Sequence, residues 1–144
     1  MALKVELKPG ERIIIGDSVI TNDNQRTRLF IEGDAPILRE KDILRPKTAT
    51  TAARRIYLAI QMMYLAKSHE KFWVEYQLLK TDFLSAAPSA LRIVEEIEKE
   101  MLTGNLYKAM KAARSLIEYE EGLLGHAERH DGLHEDGPED RRSP

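Results

Sequence analysis

Residues 7–17 read LKPGERIIIGD, and residues 31–40 read IEGDAPILRE. Between and before them lie other short apolar runs, each ended by Gly, Pro, Asn or Asp, which are turn formers. The pattern predicts five short antiparallel strands at 3–7, 12–15, 18–21, 28–32 and 37–39. We expect a meander with little core of its own. Such a module must close on itself, pair with a second copy, or pack on other elements.

The first two strands differ in pattern. Residues 3–7 alternate apolar and polar side chains, which indicates a strand with one buried face. Residues 13–15 are three consecutive isoleucines, which suit a strand covered on both faces. The second strand should therefore be the centre of the module.

From Thr48 onward the apolar period changes from 2 to 3.6 residues, which indicates helices. Pro46 ends the strand region, and Thr48 or Thr50 is expected to cap the first helix. Breaks at residues 68–69, 86–89 and 103–105 predict four amphipathic helices, with Ser89 capping the third. They would form a small antiparallel bundle or two helical hairpins. The predicted fold class is thus α+β.

Three segments follow from this division. Residues 1–47 form the β module, residues 48–124 form the helical domain, and residues 125–144 read as a disordered acidic tail. Their net charges are +1, zero and −3, which add to the −2 of the 144-residue chain. Since the β module is nearly neutral, nucleic-acid binding would require a local basic cluster.

Composition excludes several classes of protein. The chain has no cysteine, so disulfides and thiol chemistry are absent, and it shows neither a secretory signal nor a membrane-spanning apolar run. We expect a cytoplasmic protein. No phosphate loop or catalytic grouping is recognisable, so the expectation is a non-enzyme without cofactors. His126, His130 and His134 recur every four residues, but the glycines among them argue against a helical metal site.

Two sets of residues are candidates for binding. Most aromatic side chains of residues 72–83 fall on one helical stripe and predict a core, whereas Trp73 lies off the stripe and is expected to be exposed, at a helix–helix or partner contact. In the β module, Lys8, Arg26, Arg28 and Arg39 lie at strand ends or on polar faces. Arg39 closes the last strand, where its planar guanidinium could bind a phosphate or a guanine edge.

The motifs Gly10-Glu11 and Gly16-Asp17, the pair Ala35-Pro36 and the run 39–43 (REKDI) resemble the carbon storage regulator (CsrA/RsmA) family. That resemblance implies a five-stranded, strand-exchanged homodimer that binds GGA-bearing messenger RNA leaders. It also implies that Val5, Lys8 and Arg39 contact RNA. Leu7 stands where that family has a second basic residue, and the segment before Arg39 is shorter.

Residues 1–121 as a whole resemble the FlbT family of flagellar regulators, through MALKVELKPGE at 1–11, Thr21-Asn22 and EGDAPILRE at 32–40. The resemblance implies repression of flagellin synthesis by association with the 5′ untranslated region of flagellin messenger RNA and promotion of its decay. The protein partner implied for the helical half is FlaF or flagellin. Two hypotheses stay open, a direct RNA-binding repressor and a protein adaptor that acts on the messenger indirectly. A homodimer and a single closed chain also both stay open.

Overall fold

The computed structural model of this chain describes residues 2–66 and 70–134, with side chains described as far as residue 125. The strands are Ala2–Leu7 (β1), Arg12–Ile15 (β2), Ser18–Thr21 (β3), Thr27–Glu32 (β4) and Ile37–Arg39 (β5). The helices are Ala52–Leu65 (α1), Glu70–Ala86 (α2), Leu91–Leu102 (α3) and Leu106–His134 (α4). This architecture confirms the predicted α+β class.

The strands form two small sheets, so the predicted meander is wrong. β2 pairs with β3 on one side and with β5 on the other, whereas β4 returns to pair with β1. The turn between β2 and β3 is Gly16-Asp17, where Gly16 has a φ of 65° that suits a tight hairpin. β4 instead pairs with β1 over six residues, and its Leu29 and Ile31 face the same side as the buried Val5 and Leu7 of β1.

A small core lies between the two sheets. It consists of Val5, Leu7 and Ile13, with partly buried apolar side chains around them. The next residue of β2, Ile14, faces the opposite way and packs on the helices, as does the buried Leu38 of β5. The prediction that β2 is covered on both faces is thus confirmed, and the β module contributes side chains to the helical core.

The helical core follows the predicted stripes, and α4 is its centre. α4 packs against both α1 and α3, and α2 packs against α1. The deeply buried side chains of the predicted stripes include Ile56, Tyr76, Ile97, Met110 and Ala113. The helices therefore form one bundle with a long shared helix. α4 continues to His134, past the boundary predicted at residue 124, and residues 135–144 of the predicted tail lie outside the described part of the chain.

Both predicted helix caps are wrong by a short distance. The cap of α1 is Thr51, whose hydroxyl accepts a hydrogen bond from the Arg54 N–H at 3.3 Å. Thr48 instead ends a 3-10 turn, Pro46–Thr48, and donates to the Arg45 carbonyl. Ser89 lies inside another 3-10 turn, and its hydroxyl bonds to the Tyr119 hydroxyl rather than to a helix N-terminus.

Polar side chains of α1 fasten the chain that leaves the β module. The Tyr64 hydroxyl accepts a hydrogen bond from the Ile37 N–H at 3.2 Å and donates one to the Ile37 carbonyl at 3.0 Å. The Gln61 side-chain amide accepts from the Leu44 N–H at 2.8 Å and donates to the Leu44 carbonyl at 3.0 Å. These bonds satisfy partly buried backbone groups at the start of β5 and in the segment that follows it. The position of β5 relative to the bundle is therefore fixed. Within the described residues, no helix combines the length and apolarity needed to cross a bilayer.

Candidate nucleic-acid interface

The two-stranded sheet of β1 and β4 exposes one face to solvent. Its register places Lys4 opposite Phe30 and Glu6 opposite Arg28. Because side chains alternate along a strand, these four residues point away from the core that Val5 and Leu7 enter. We call the surface formed by Lys4, Glu6, Arg26, Arg28 and Phe30 the ribbon face.

Phe30 is the most unusual member of the ribbon face. Its side chain is 66% exposed, although a phenylalanine normally buries most of its surface. Lys4 lies directly across the strand pair, and Arg28 lies two residues earlier on the same face. An exposed ring flanked by cations can stack an unpaired base while the cations meet phosphates. Phe30 was not among the predicted binding residues, because Leu29-Phe30-Ile31 is a continuous apolar run that does not show which side chain faces outward.

Glu6 forms ion pairs with two of the arginines predicted to bind RNA. Arg28 Nη2 lies 3.5 Å from Oε2 of Glu6, and Arg26 Nη1 lies 3.9 Å from Oε1. All three side chains are at least half exposed, so each ion pair contributes little to stability, about 0–1 kcal/mol. Glu6 therefore holds both guanidinium groups near the sheet, but weakly enough for a phosphate to replace its carboxylate.

Arg39 reaches the same residue from the other sheet. It stands opposite Ile13 in the register, and its Nη2 donates a hydrogen bond to the Glu6 carbonyl oxygen at 3.1 Å. Its Nε is buried and has no hydrogen-bond partner among the described residues. One side of the guanidinium thus ties β5 to β1. Arg39 borders the ribbon face, but part of its bonding capacity serves the fold.

The other two predicted contacts differ in their accessibility. Lys8 is exposed in the turn after β1, at the end of the ribbon where Leu7 pairs with Thr27 and Arg26 comes next. Its backbone is fixed by bonds to Glu11 and Asn22, each at 2.8 Å. Val5, in contrast, is only 2% exposed and belongs to the β core. Burial removes its side chain from any surface that RNA could meet, so the expected contact is not supported.

A second surface lies on α2. Trp73 is 39% exposed, as its place off the apolar stripe predicted, and its ring stacks on Tyr76 with centroids 5.7 Å apart. It borders an open cleft of about 360 Å³ that is also lined by Met63, Glu70, Met101 and Leu106. Val74 and Leu78 of the same helix are exposed as well. Adjacent exposed apolar side chains of this kind mark protein-binding surfaces.

Within the described residues, no group of three His, Asp or Glu side chains is placed to hold a metal ion. The imidazoles of His126, His130 and His134 lie outside the described side chains.

Comparison with known proteins gives one consistent result. A family model described as "Flagellar protein FlbT" matches residues 3–124. A probable flagellum biosynthesis repressor protein FlbT 1 of Bradyrhizobium diazoefficiens is 54% identical over 129 residues, which cover 89% of this chain and 88% of that protein. A probable repressor of the same name from Rhodopseudomonas palustris is 51% identical, covering 86% and 98%. The flagellum biosynthesis repressor protein FlbT of Caulobacter vibrioides is 40% identical, covering 88% and 92%. No solved structure matches.

Proposed function

Because this chain belongs to the FlbT family of flagellar proteins, we propose that it represses flagellum biosynthesis after transcription. The proposed step is association with the 5′ untranslated region of flagellin messenger RNA, which promotes degradation of that messenger. The repressor role is supported by the names of the relatives. The role in RNA binding is supported by the ribbon face and requires no catalytic group.

The observation that carries this proposal is the exposed Phe30 among cations. RNA sequence is read mainly in single-stranded segments, where bases can be splayed out and stacked on aromatic rings. Phe30 offers such a ring, Lys4 and Arg28 flank it, and Arg26 and Lys8 extend the positive charge along one end of the ribbon. Two carboxylates, Glu6 and Glu32, share this face with the four cations, so the patch keeps a net positive charge although residues 1–47 are nearly neutral overall.

The size of the patch sets the expected affinity. One stacked base contributes about 1–3 kcal/mol. Four cations that each neutralise a phosphate give a slope of log affinity against log salt of about −3, since a single strand contributes roughly 0.7 per contact. Binding should therefore be modest and its dependence on salt shallow.

The test is fluorescence anisotropy with a labelled flagellin leader RNA and the full-length protein. Phe30→Ala should weaken binding by about 5- to 150-fold, the equivalent of the stacking energy, whereas Phe30→Tyr should retain it. The matched control is Val19→Ala, which removes an exposed apolar side chain from β3, outside the ribbon face. Equal affinity of the wild type and Phe30→Ala would remove the ribbon face as the RNA site. Absence of binding by the wild type would overturn the direct mechanism.

A second candidate function is that of a protein adaptor. It is favoured by the exposed apolar side chains Trp73, Val74 and Leu78 on α2 and by the cleft beside Trp73. In this version the α2 surface binds FlaF or flagellin, and the messenger is affected indirectly. The two candidates differ in one measurement, because an adaptor of this kind leaves leader RNA unbound unless its protein partner is present.

A further inference from the structure

A buried carboxylate joins the β module to α4. Asp42 lies in the 3-10 turn Glu40–Asp42 that follows β5 and is only 2% exposed. Its Oδ1 accepts a hydrogen bond from Arg114 Nη2 at 2.9 Å and lies 3.5 Å from Lys111 Nζ. Its Oδ2 is 3.4 Å from the Tyr107 hydroxyl, which donates to it. Two cations thus share one carboxylate oxygen.

One carboxylate neutralises only one of these two cations. The side chains of Lys111 and Arg114 are 44% and 43% exposed, so the remaining positive charge faces solvent. Lys41 is exposed beside them, and its carbonyl accepts a bond from Arg114 at 3.4 Å. Lys108 is exposed one helical turn before Lys111, where side chains three residues apart are neighbours. Along the chain, no Asp or Glu occurs between Glu100 and Glu118, and Glu118, one helical turn after Arg114, forms no ion pair with it among the described residues.

The cations at this junction are held in place before any ligand arrives. Lys111 Nζ lies 5.4 Å from the centroid of the Tyr107 ring, and the Arg114 guanidinium lies 5.7 Å from that of Tyr57. These cation–π contacts, which do not involve Asp42, reduce the side-chain entropy that binding would otherwise cost. An ion pair that only held the β module to α4 would need one cation on Asp42. The second cation and the neighbouring lysines are therefore free for another role.

We propose that this surface, which we call the junction patch (Lys41, Lys108, Lys111 and Arg114), binds backbone phosphates of single-stranded RNA. The inference rests on the proposed function and adds to it a second contact, on residues that the ribbon face does not include. A row of cations along α4 suits the repeating charge of a nucleic-acid backbone, and it carries no base specificity. The ribbon face would then stack bases while the junction patch holds the strand.

The experiment uses the full-length triple variant Lys41→Gln, Lys108→Gln and Lys111→Gln, which leaves the Asp42–Arg114 bond intact. A matched triple variant removes the same charge from exposed positions outside the patch, through Lys71→Gln, Arg92→Gln and Lys99→Gln. Affinities for flagellin leader RNA and for a uridine homopolymer of equal length are measured between about 50 and 200 mM salt. The junction variant should lose about tenfold in affinity for both RNAs, and its salt slope should become shallower by about 2. The matched variant should stay within about twofold of the wild type, with the same slope.

The outcomes separate the two proposals. Unchanged affinity and slope in the junction variant, with thermal melting confirming its fold, would overturn the junction patch while leaving the ribbon face standing. Equal losses in the two triple variants would also overturn it, because net charge alone would then explain the effect. A third outcome is that the wild type binds the homopolymer as tightly as the leader and only the junction variant loses affinity for both RNAs. That outcome would support the junction patch and overturn the leader-specific function.

Discussion

Asp42→Asn removes the charge that holds the β module to α4 while keeping the shape of the side chain. The substitution leaves Arg114 and Lys111 facing a neutral amide, so the two cations repel each other without a counter-charge. The Tyr57 hydroxyl still donates to the Asp42 backbone carbonyl at 2.6 Å. The measured loss therefore reports the carboxylate and not the surrounding backbone.

The size of the loss follows from burial. Removing one partner of a buried ion pair costs about 3–5 kcal/mol when both charges are buried. Here only Asp42 is buried, and the two cations are nearly half exposed, so water stabilises them in part. We expect the free energy of unfolding to fall by about 2 kcal/mol and Tm by about 8 °C.

Thermal and urea unfolding, followed by circular dichroism, measures this change. Asp82→Asn removes an exposed carboxylate from α2 and serves as the control, with an expected change within about 0.5 kcal/mol. Adding Arg114→Gln to Asp42→Asn should cost less than the sum of the two single changes, because the pair is already broken. The reasoning is refuted if Asp42→Asn is as stable as the wild type or if the two losses simply add.

Three further predictions concern stability and partner binding. Burial, helped by the neighbouring Glu98 carboxylate, raises the pKa of Tyr76 above its ordinary value, so the unfolded chain ionises first and stability should fall as pH rises above about 10. Tyr76→Phe should lessen that fall in alkaline urea titrations, and an unchanged slope would contradict it. Gly104→Ala should lower the free energy of unfolding by about 1–2 kcal/mol, because φ is 78° there. Gly122→Ala in α4 should raise it by up to about 1 kcal/mol, since alanine favours the helix. Changes of the same sign in the two variants would refute this reasoning. Leu78→Ser should abolish capture of FlaF or flagellin in pull-down assays with stability changed by less than about 0.5 kcal/mol, whereas Leu102→Ser, on α3, should leave capture intact.

The local structure could be predicted closely because it depends on neighbours in sequence. Alternation in residues 3–7, the isoleucines of β2 and the glycine turn at residue 16 give strand bounds that agree with the structure to within a residue. Each predicted helical stripe contains buried side chains, among them Ile56, Tyr76 and Ile97, whereas Ile60 and Leu116 are buried next to the stripes. These signals are strong because period and turn chemistry act over only a few residues.

The pairing of strands could not be predicted in the same way. A meander, in which each strand pairs with its neighbour in sequence, and the observed pairing of β4 with β1 can bury the same side of each strand. Only the shared core of Val5, Leu7 and Ile13 distinguishes the two arrangements. The helix caps were misplaced for a similar reason. Thr48, Thr50 and Thr51 are chemically equivalent candidates, and the preceding 3-10 turn decides which one begins α1.

The candidate site depended even more on long-range contacts. Arg26, Arg28 and Arg39 all reach Glu6, which is distant from them along the chain, and no local pattern in the sequence indicates that meeting. Val5 is a different case, because the structure places it in the β core. Its expected role came from a resemblance, while the alternation of β1 placed it on the buried side of the strand.

The shared core also decides how the two functions can be separated by experiment. Leu38 of β5 is buried among helical residues, so deleting residues 48–144 would expose an apolar side chain and remove the bonds from Gln61 and Tyr64. Loss of RNA binding in such a fragment would not distinguish a missing contact from a disrupted fold. Point variants on the surface are therefore the proper test of each half.

Asp42→Asn provides such a test for the junction patch, because stability and binding should change in opposite directions. Losing the carboxylate raises the residual positive charge of Lys111 and Arg114 by one unit at a surface that is nearly half exposed. At temperatures well below its Tm, the variant should therefore bind single-stranded RNA more tightly than the wild type, and the gain should shrink as salt rises. If the Asp42 ion pair served only the fold, Asp42→Asn would lower stability without any gain in affinity for RNA. The same variant thus distinguishes a structural ion pair from a carboxylate that also limits the strength of RNA binding.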